Sequence, residues 1–144
     1  MNANSSKRGM RRLKRRMQKS ERRTNDAKPH DLKKRTQQFA CRVIRLMGVL
    51  PSTAAGRVIG TQLLRAATSV GANWRAAARA RSRAEFVAKL GIVLEEADEA
   101  LYWMELLIEG DLVKKERLSL LMQEASELTA IAVASINTAK RRKA

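Results

Sequence analysis

Apolar side chains recur at intervals of three and four residues from residue 31 to residue 140, and this spacing constrains the fold most. No strand-like alternation interrupts it, and the whole chain contains only two prolines. Breaks at Pro51, Ser82 and Gly110 divide the stretch into four segments of helical length. Because the connections between them are short, neighbouring helices should run antiparallel. The sequence predicts an all-α, antiparallel up-down-up-down four-helix bundle.

Local signals place the ends of the predicted helices. Asp31 is a candidate N-cap for the first helix, and Ser52 or Thr53 for the second, over about 54–80. Ser82 can cap the third helix, with Glu85 three residues later completing a capping box. That helix should end at the glycine at position 110, and the fourth should span about 114–140.

Each predicted helix has an apolar stripe that should face the core. The stripes are Leu32, Phe39, Val43, Leu46, Met47 and Leu50; then Val58, Leu63, Ala66, Val70, Asn73 and Ala77; then Val87, Leu90, Leu94, Ala97, Leu101, Met104 and Ile108; and then Leu118, Leu121, Ala125, Leu128, Ala132 and Ser135. The second helix is also rich in small residues. Gly60 and Gly71 within it predict the close approach of another backbone, since glycine otherwise weakens a helix.

The positive charge is concentrated at the two ends of the chain. Its net charge is +16, yet residues 31–139 hold 15 basic and 12 acidic side chains. Residues 1–30 contain eleven Lys or Arg against two acids, and 140–143 are all basic. We therefore predict a disordered basic arm at 1–30, able to become helical on a polyanion, a bundle at 31–140 and a basic tail at 141–144. A solvated tail, or a start codon assigned too far upstream, are the alternatives for the arm.

Several chemical functions lack the residues they need. With Cys41 and His30 as the one cysteine and one histidine, neither an internal disulfide nor a zinc site is expected. The acidic run 95–99 has no histidine to complete a di-iron site, so a solvated acidic face or salt bridges are favoured. Cys41 is interpreted as a small core residue. We expect no enzyme activity, metal or cofactor, and, since the longest apolar stretch has 12 residues, a cytoplasmic protein without a membrane span.

The second helix and the turn after it are basic, whereas the third helix is acidic. Seven basic residues and one acid lie in 57–89, and seven acids without a base lie in 90–111. The two helices could neutralise each other within one chain, meet between subunits, or leave the basic side free for phosphate. The candidate nucleic-acid-binding residues are Arg65, Arg75, Arg79, Arg81 and Arg83, with Arg11, Arg12, Arg15 and Arg16 on the arm. Arg65 could bridge to the acidic helix instead.

Aromatic residues give little support for base stacking. Trp74 lies among the candidate arginines and could stack a base, although a single helical tryptophan is more often packed in a core or interface. Five aromatic residues in the chain are too few for a stacking platform. Sequence-specific recognition of single strands is therefore not expected.

Three segments resemble one known family. QLLRAATSVGAN at 62–73, ARSRAEFVAKL at 80–90 and EEADEALYWMELL at 95–107 are similar to the four-helix bundle proteins called 23S rRNA intervening-sequence proteins. The resemblance covers about 31–140. It departs mildly at Trp74 and Arg75, where the family often has an aromatic or aliphatic residue and then an acid. The basic arm lies outside the family pattern.

The resemblance implies a bundle that assembles into a homopentamer, with no catalytic residue to transfer. Some members of the family are encoded in insertions within ribosomal RNA genes, and a related branch serves diversity-generating retroelements by binding a reverse transcriptase and nucleic acid. With the charge, this leads us to expect a non-enzymatic protein that associates with RNA or a ribonucleoprotein. The alternative is a scaffold that docks a partner such as a reverse transcriptase or a ribosomal component.

Overall fold

Four long helices form the molecule in a computed structural model, which describes residues 9–12, 15 and 29–142. They are α1 (Pro29–Met47), α2 (Ala54–Ala78), α3 (Arg83–Glu109) and α4 (Lys115–Arg141). Each packs against the next in the chain, and α1 reaches α4 along the thinnest of the seams. No strand occurs in the described residues. The predicted all-α helical bundle is confirmed.

The helix ends follow the predicted chemistry, with differences at Glu85, at Asp31 and at Gly110. Thr53 caps α2 by accepting from the Gly56 amide, and Ser82 caps α3 by accepting from the Glu85 amide, each at 3.1 Å. A capping box would have the Glu85 carboxylate accept from the amide of the N-cap, Ser82. It accepts instead from the amide of the preceding residue, Arg81, at 3.0 Å. The first helix begins at Pro29, so Asp31 lies in its first turn and the prediction that it is the N-cap was wrong.

The glycine at the end of α3 acts differently from the usual helix-ending glycine. Gly110 caps the helix as expected, but its φ of −83° is ordinary. The left-handed residue is the next one, Asp111, with a φ of 58°. Aspartate is one of the few residues besides glycine that tolerates this region of backbone space.

The core is made from one stripe of each helix. On α1, α2 and α4 most of the predicted positions are buried, but Val58 is 62% exposed, so its assignment to the core was wrong. On α3 the buried set is Leu90, Val93, Ala97, Ala100, Met104 and Leu107. Four predicted positions on α3 are only half-buried and lie beside that set: Val87, Leu94, Leu101 and Ile108. Thus α3 carries a second apolar stripe that the chain itself does not fully cover.

The predicted close approach of another backbone occurs at Gly71, beside Thr36 of α1, whereas at Gly60 the close neighbours are the side chains of Leu50 and Met47. A β-carbon built on Gly71 would lie 3.3 Å from the Thr36 hydroxyl, and one on Gly60 would lie 2.8 Å from the Leu50 side chain. Thr36 is buried, and its hydroxyl donates to the Leu32 carbonyl at 2.8 Å. A methyl group on Gly71 would press on buried Thr36, and one on Gly60 would displace the end of the Leu50 side chain.

The up-down-up-down order gives the bundle two unlike ends. We call the one with the α1–α2 and α3–α4 turns, residues 47–54 and 109–115, the turn end. The opposite end holds the α2–α3 turn, the start of α1 and the end of α4, and we call it the basic end.

Candidate nucleic-acid interface

Four of the predicted phosphate-binding arginines lie around a single turn at the basic end. Arg75 and Arg79 occupy the last turn and C-cap of α2, Arg81 lies in the connection, and Arg83 is the first residue of α3. All four are exposed. The capping of α3 by Ser82 fixes the path of the chain between Arg81 and Arg83.

The end of α4 adds a second group of cations to the same end of the molecule. Lys140 and Arg141 complete the last turn of α4 and Arg142 caps it. The sequence predicts a separate basic tail at 141–144, which composition alone does not join to the arginines of the α2–α3 turn. The predicted topology could have joined them. Because α3 and α4 are consecutive antiparallel helices, the end of α4 lies beside the start of α3.

A groove lies between these two basic groups. Its volume is about 1210 Å³, and it extends from the α2–α3 turn to the last three turns of α4. The charged residues that line it are Arg83, Arg141 and Arg142, with no acidic side chain among the lining residues. Its deeper wall includes Leu32, Trp74, Ala77, Phe86 and Ile131. The arrangement offers an apolar floor beneath a cationic rim.

Trp74 belongs to the core side of this groove. It is 6% exposed, which favours the expectation of a packed tryptophan over a freely exposed stacking surface. Its indole nitrogen, however, is buried and has no hydrogen-bond partner among the residues that the structure describes. The other tryptophan, Trp103, donates from its ring nitrogen to Glu99 at 3.1 Å.

Arg65 does not join the basic end. It lies in the middle of α2, where its guanidinium contacts the carboxylates of Glu96, at 3.4 Å, and Glu99. Hydrogen bonding to Glu99 and the charge of Glu96 raise the pKa of Arg65. Hydrogen bonds from Arg65 and Trp103 lower the pKa of Glu99. Here the basic and acidic helices neutralise each other within one chain, which was one of the three predicted possibilities.

A second paired arginine ties α1 to α4. Arg35 donates from Nε to the Glu124 carboxylate at 3.1 Å and from Nη2 to that of Glu127 at 2.8 Å. Arg35 and Arg65 thus both form ion pairs that join two helices of the same chain. By contrast, none of the side chains of Arg75, Arg79, Arg81, Arg83, Lys140, Arg141 and Arg142 forms an ion pair within the described part of the chain. The cations of the basic end are therefore available to an outside partner.

The arm is described only in part. Arg11, Arg12 and Arg15 are exposed and helical, whereas Arg16 and most of the predicted disordered segment 1–30 lie outside the described residues. Cys41 is half-buried with a free thiol. Within the described ranges, no three His, Cys, Asp or Glu side chains lie together as a metal site would need. Among the same residues, no helix is long and apolar enough to span a bilayer.

Comparisons with known proteins agree with this architecture. The family model described as 23S rRNA-intervening sequence protein matches residues 28–134. A crystal structure of a protein of unknown function from the S23 ribosomal protein family of Bacteroides thetaiotaomicron is similar, with 36% identity and a TM-score of 0.68. The alignment covers 73% of this chain and 97% of that one. The comparison with curated proteins gives no match.

Proposed function

The chain belongs to the family of 23S rRNA-intervening sequence proteins, and on that premise we propose that it is a non-enzymatic, oligomeric protein that binds RNA or a ribonucleoprotein through its basic end. The observation that carries the proposal is a set of cations from two separate parts of the sequence, around one groove, that have no ion-pair partner among the described residues. Clusters of exposed Lys and Arg attract the phosphates of nucleic acids and release their counterions.

The distribution of ion pairs supports this over a purely structural role for the charge. Arg35 and Arg65, which join helices, each have two carboxylate partners. The cations of the basic end have no such partner among the described residues, and they repel one another. An electrostatic arrangement of this kind is stabilised by a polyanion outside the chain.

The experiment is a double charge reversal, Arg79→Glu with Arg83→Glu, measured by titration of a labelled RNA hairpin at several salt concentrations. We expect affinity to fall by about tenfold or more near 100 mM salt, with a shallower salt dependence. Lys115→Glu with Arg117→Glu is the matched control, since it makes the same charge change at the turn end. Unchanged RNA binding by the first variant, together with an unaltered melting curve, would sink the proposal.

Self-association is part of the same proposal, with a homopentamer as the assembly that the family resemblance implies. The second apolar stripe of α3 supports it, because half-covered leucines at heptad spacing are typical of helices that pack against another chain. Light scattering gives the mass directly. A particle of one subunit, 16.1 kDa, would exclude self-association.

Assembly would also multiply the weak contacts made by the arms. Several copies of a basic segment on one particle raise the apparent affinity without new contacts in any one copy. Deletion of residues 1–28 should therefore weaken RNA binding strongly while leaving the bundle folded. An affinity that survives the deletion unchanged would assign binding to the basic end alone.

A second candidate function is a scaffold that docks a protein partner such as a reverse transcriptase or a ribosomal component. It is favoured by exposed large apolar side chains toward the turn end, namely Ile44, Val49, Val58 and Leu120. Val58→Asp with Leu120→Asp should release such a partner, whereas Arg79→Glu with Arg83→Glu should retain it. If the partner is instead retained by the Val58 and Leu120 variant and lost by the Arg79 and Arg83 variant, binding through the basic end is favoured.

A further inference from the structure

The groove at the basic end is walled by small side chains. Those from α2 and the following turn are Ala77, Ala78 and Ala80, and those from α4 are Ala134, Ser135 and Ala139. Bulky apolar residues elsewhere in the bundle fill the space between helices, as at Phe39, Leu63 and Met104. Trp74 and Phe86 also line the groove, but the small side chains beside them leave its volume open to a ligand.

The indole nitrogen of Trp74 indicates which chemistry such a ligand needs. Buried N–H groups nearly always find an acceptor, and an exception calls for a physical explanation. Trp103 shows how the same group is satisfied in this fold, through a carboxylate one turn away. Trp74 lines the groove and its nitrogen is buried in the free chain, so a bound molecule that turns the ring toward the groove would supply the missing acceptor.

The rim adds a requirement for negative charge. Arg83, Arg141 and Arg142 line the groove, and the start of α3 contributes the partial positive charge of a helix N-terminus beside them. The ligand should therefore combine a flat apolar part, a hydrogen-bond acceptor on that part and anionic groups a few ångströms away. An unpaired nucleotide has this combination in its base, its carbonyl oxygens and its phosphates.

We propose that the groove binds an unpaired nucleotide of an RNA strand, with the base over the apolar floor and a base oxygen accepting from Trp74. The phosphates on either side of that nucleotide contact the three arginines of the rim. This inference rests on the proposed function and deepens it, by selecting unpaired over base-paired RNA. A duplex presents the same phosphates, but its bases stay stacked and cannot enter the groove.

The first test uses Trp74 as its own reporter. In a Trp103→Phe background Trp74 is the one remaining tryptophan of the chain, and its emission is followed during titration with single-stranded oligouridylate or with a duplex of equal length. We expect the single strand to change the emission and the duplex to leave it unaltered. If both bind without any change at Trp74, the groove is not the site, although the basic end still binds RNA.

The second test fills the groove without changing charge. Ala134→Phe places a ring in its wall, and Ala130→Phe makes the same substitution one turn away, at an exposed position outside the lining. Affinity for the single strand should fall about tenfold in the first variant only, since a stacked base contributes that much or more to binding. Equal affinities in the two variants would overturn the inference.

Removal of the indole N–H separates the hydrogen bond from the shape of the floor. Trp74→Phe should weaken single-strand binding about three- to tenfold and leave duplex binding unchanged. A variant that binds neither RNA while melting normally would contradict the selectivity claimed for the groove. If instead neither RNA binds even to the unaltered protein, the proposed function itself fails. If the Trp74 emission changes with an acidic helical peptide but not with oligouridylate, the groove binds a protein partner. That result would overturn the proposal that it binds a nucleotide.

Discussion

The turn end and the basic end of the bundle are built in opposite ways. At the turn end the chain leaves no space, since a β-carbon on Gly56 would lie 2.2 Å from the Pro51 carbonyl oxygen. At the basic end the helices border a groove of about 1210 Å³ and leave a buried indole nitrogen without a partner among the described residues. The turn end has a mixture of charges, whereas the basic end collects cations that have no partner in the described chain.

The contrast separates what holds the fold from what is available for binding. Tight contacts between backbone and glycine fix the angle at which α1 meets α2, and this fixes where the start of α1 lies at the far end. The open end then needs no dense packing of its own. A site can be left unfilled there because stability is supplied elsewhere in the bundle.

The largest effect is expected at the turn end. Gly56→Ala forces a methyl group onto a carbonyl oxygen, and because the N-cap turn cannot relax easily, the free energy of unfolding should fall by about 3 kcal/mol. Gly91→Ala is the control, since nothing lies within 4 Å of a β-carbon there. That variant should gain up to about 1 kcal/mol from helix propensity. Urea denaturation measures the free energy of unfolding of both variants. A similar loss in the two would show that the turn at Gly56 is no more constrained than the middle of α3.

The next effect concerns the seam that opens toward the groove. Arg35→Ala removes both bonds to α4 and leaves Glu124 facing Glu127 without a counterion. We expect a loss of about 1 kcal/mol in the free energy of unfolding, at the upper end for partly exposed ion pairs. Amide hydrogen exchange should quicken in α1 more than in α3. Lys34→Ala, an exposed neighbour with no ion pair among the described residues, should change neither measurement.

A smaller effect tests whether the two basic groups act on one ligand. In a double-mutant cycle on RNA binding, Arg83→Ser and Arg141→Ser should show a coupling energy of about 0.5 kcal/mol or more, because both line the groove. Arg83→Ser combined with Arg117→Ser, whose positions lie at opposite ends, should be additive. Additivity in the first pair would mean that the groove does not unite the two groups.

The smallest effect falls between the ends, at the pair of Glu99 and Arg65. Because the pKa of Glu99 is lowered in the fold, its contribution to stability is present above the ordinary value of 4.5. That contribution is lost as the pH falls through the lowered value. Glu99→Gln should therefore flatten the decline of the melting temperature between about pH 5 and pH 3. RNA affinity at neutral pH should not change, and a large change would move the interface toward the middle of α2.

Much of the fold could be predicted from the sequence because helix ends depend on local chemistry. Thr53 and Ser82 cap their helices through contacts within four residues, and the turns between helices follow from them. The core stripe of α3 was harder to assign, since Val87, Leu94 and Leu101 repeat with the same period as Val93, Ala100 and Leu107. Periodicity identifies a helix with two apolar stripes but cannot tell which of them its own chain covers.

The candidate site was predictable in its charges and not in its assembly. Arg79, Arg81 and Arg83 stand close together in the sequence, so their clustering needs no knowledge of the fold. Their union with Arg141 depends on the start of α3 and the end of α4, which are far apart in sequence, meeting at one end of the bundle. The unsatisfied nitrogen of Trp74 has no sequence signal at all, because it arises from which neighbours lack an acceptor.

The even number of helices has a practical consequence for anyone who handles this protein. Pro29 begins α1 and Arg141 ends α4, and both lie at the basic end. A purification tag, fluorescent label or surface anchor joined directly after α4 would therefore emerge beside the groove and could block it or add charge to it. A label on a cysteine introduced in the α3–α4 turn, or a circular permutant opened there, would leave the groove unobstructed.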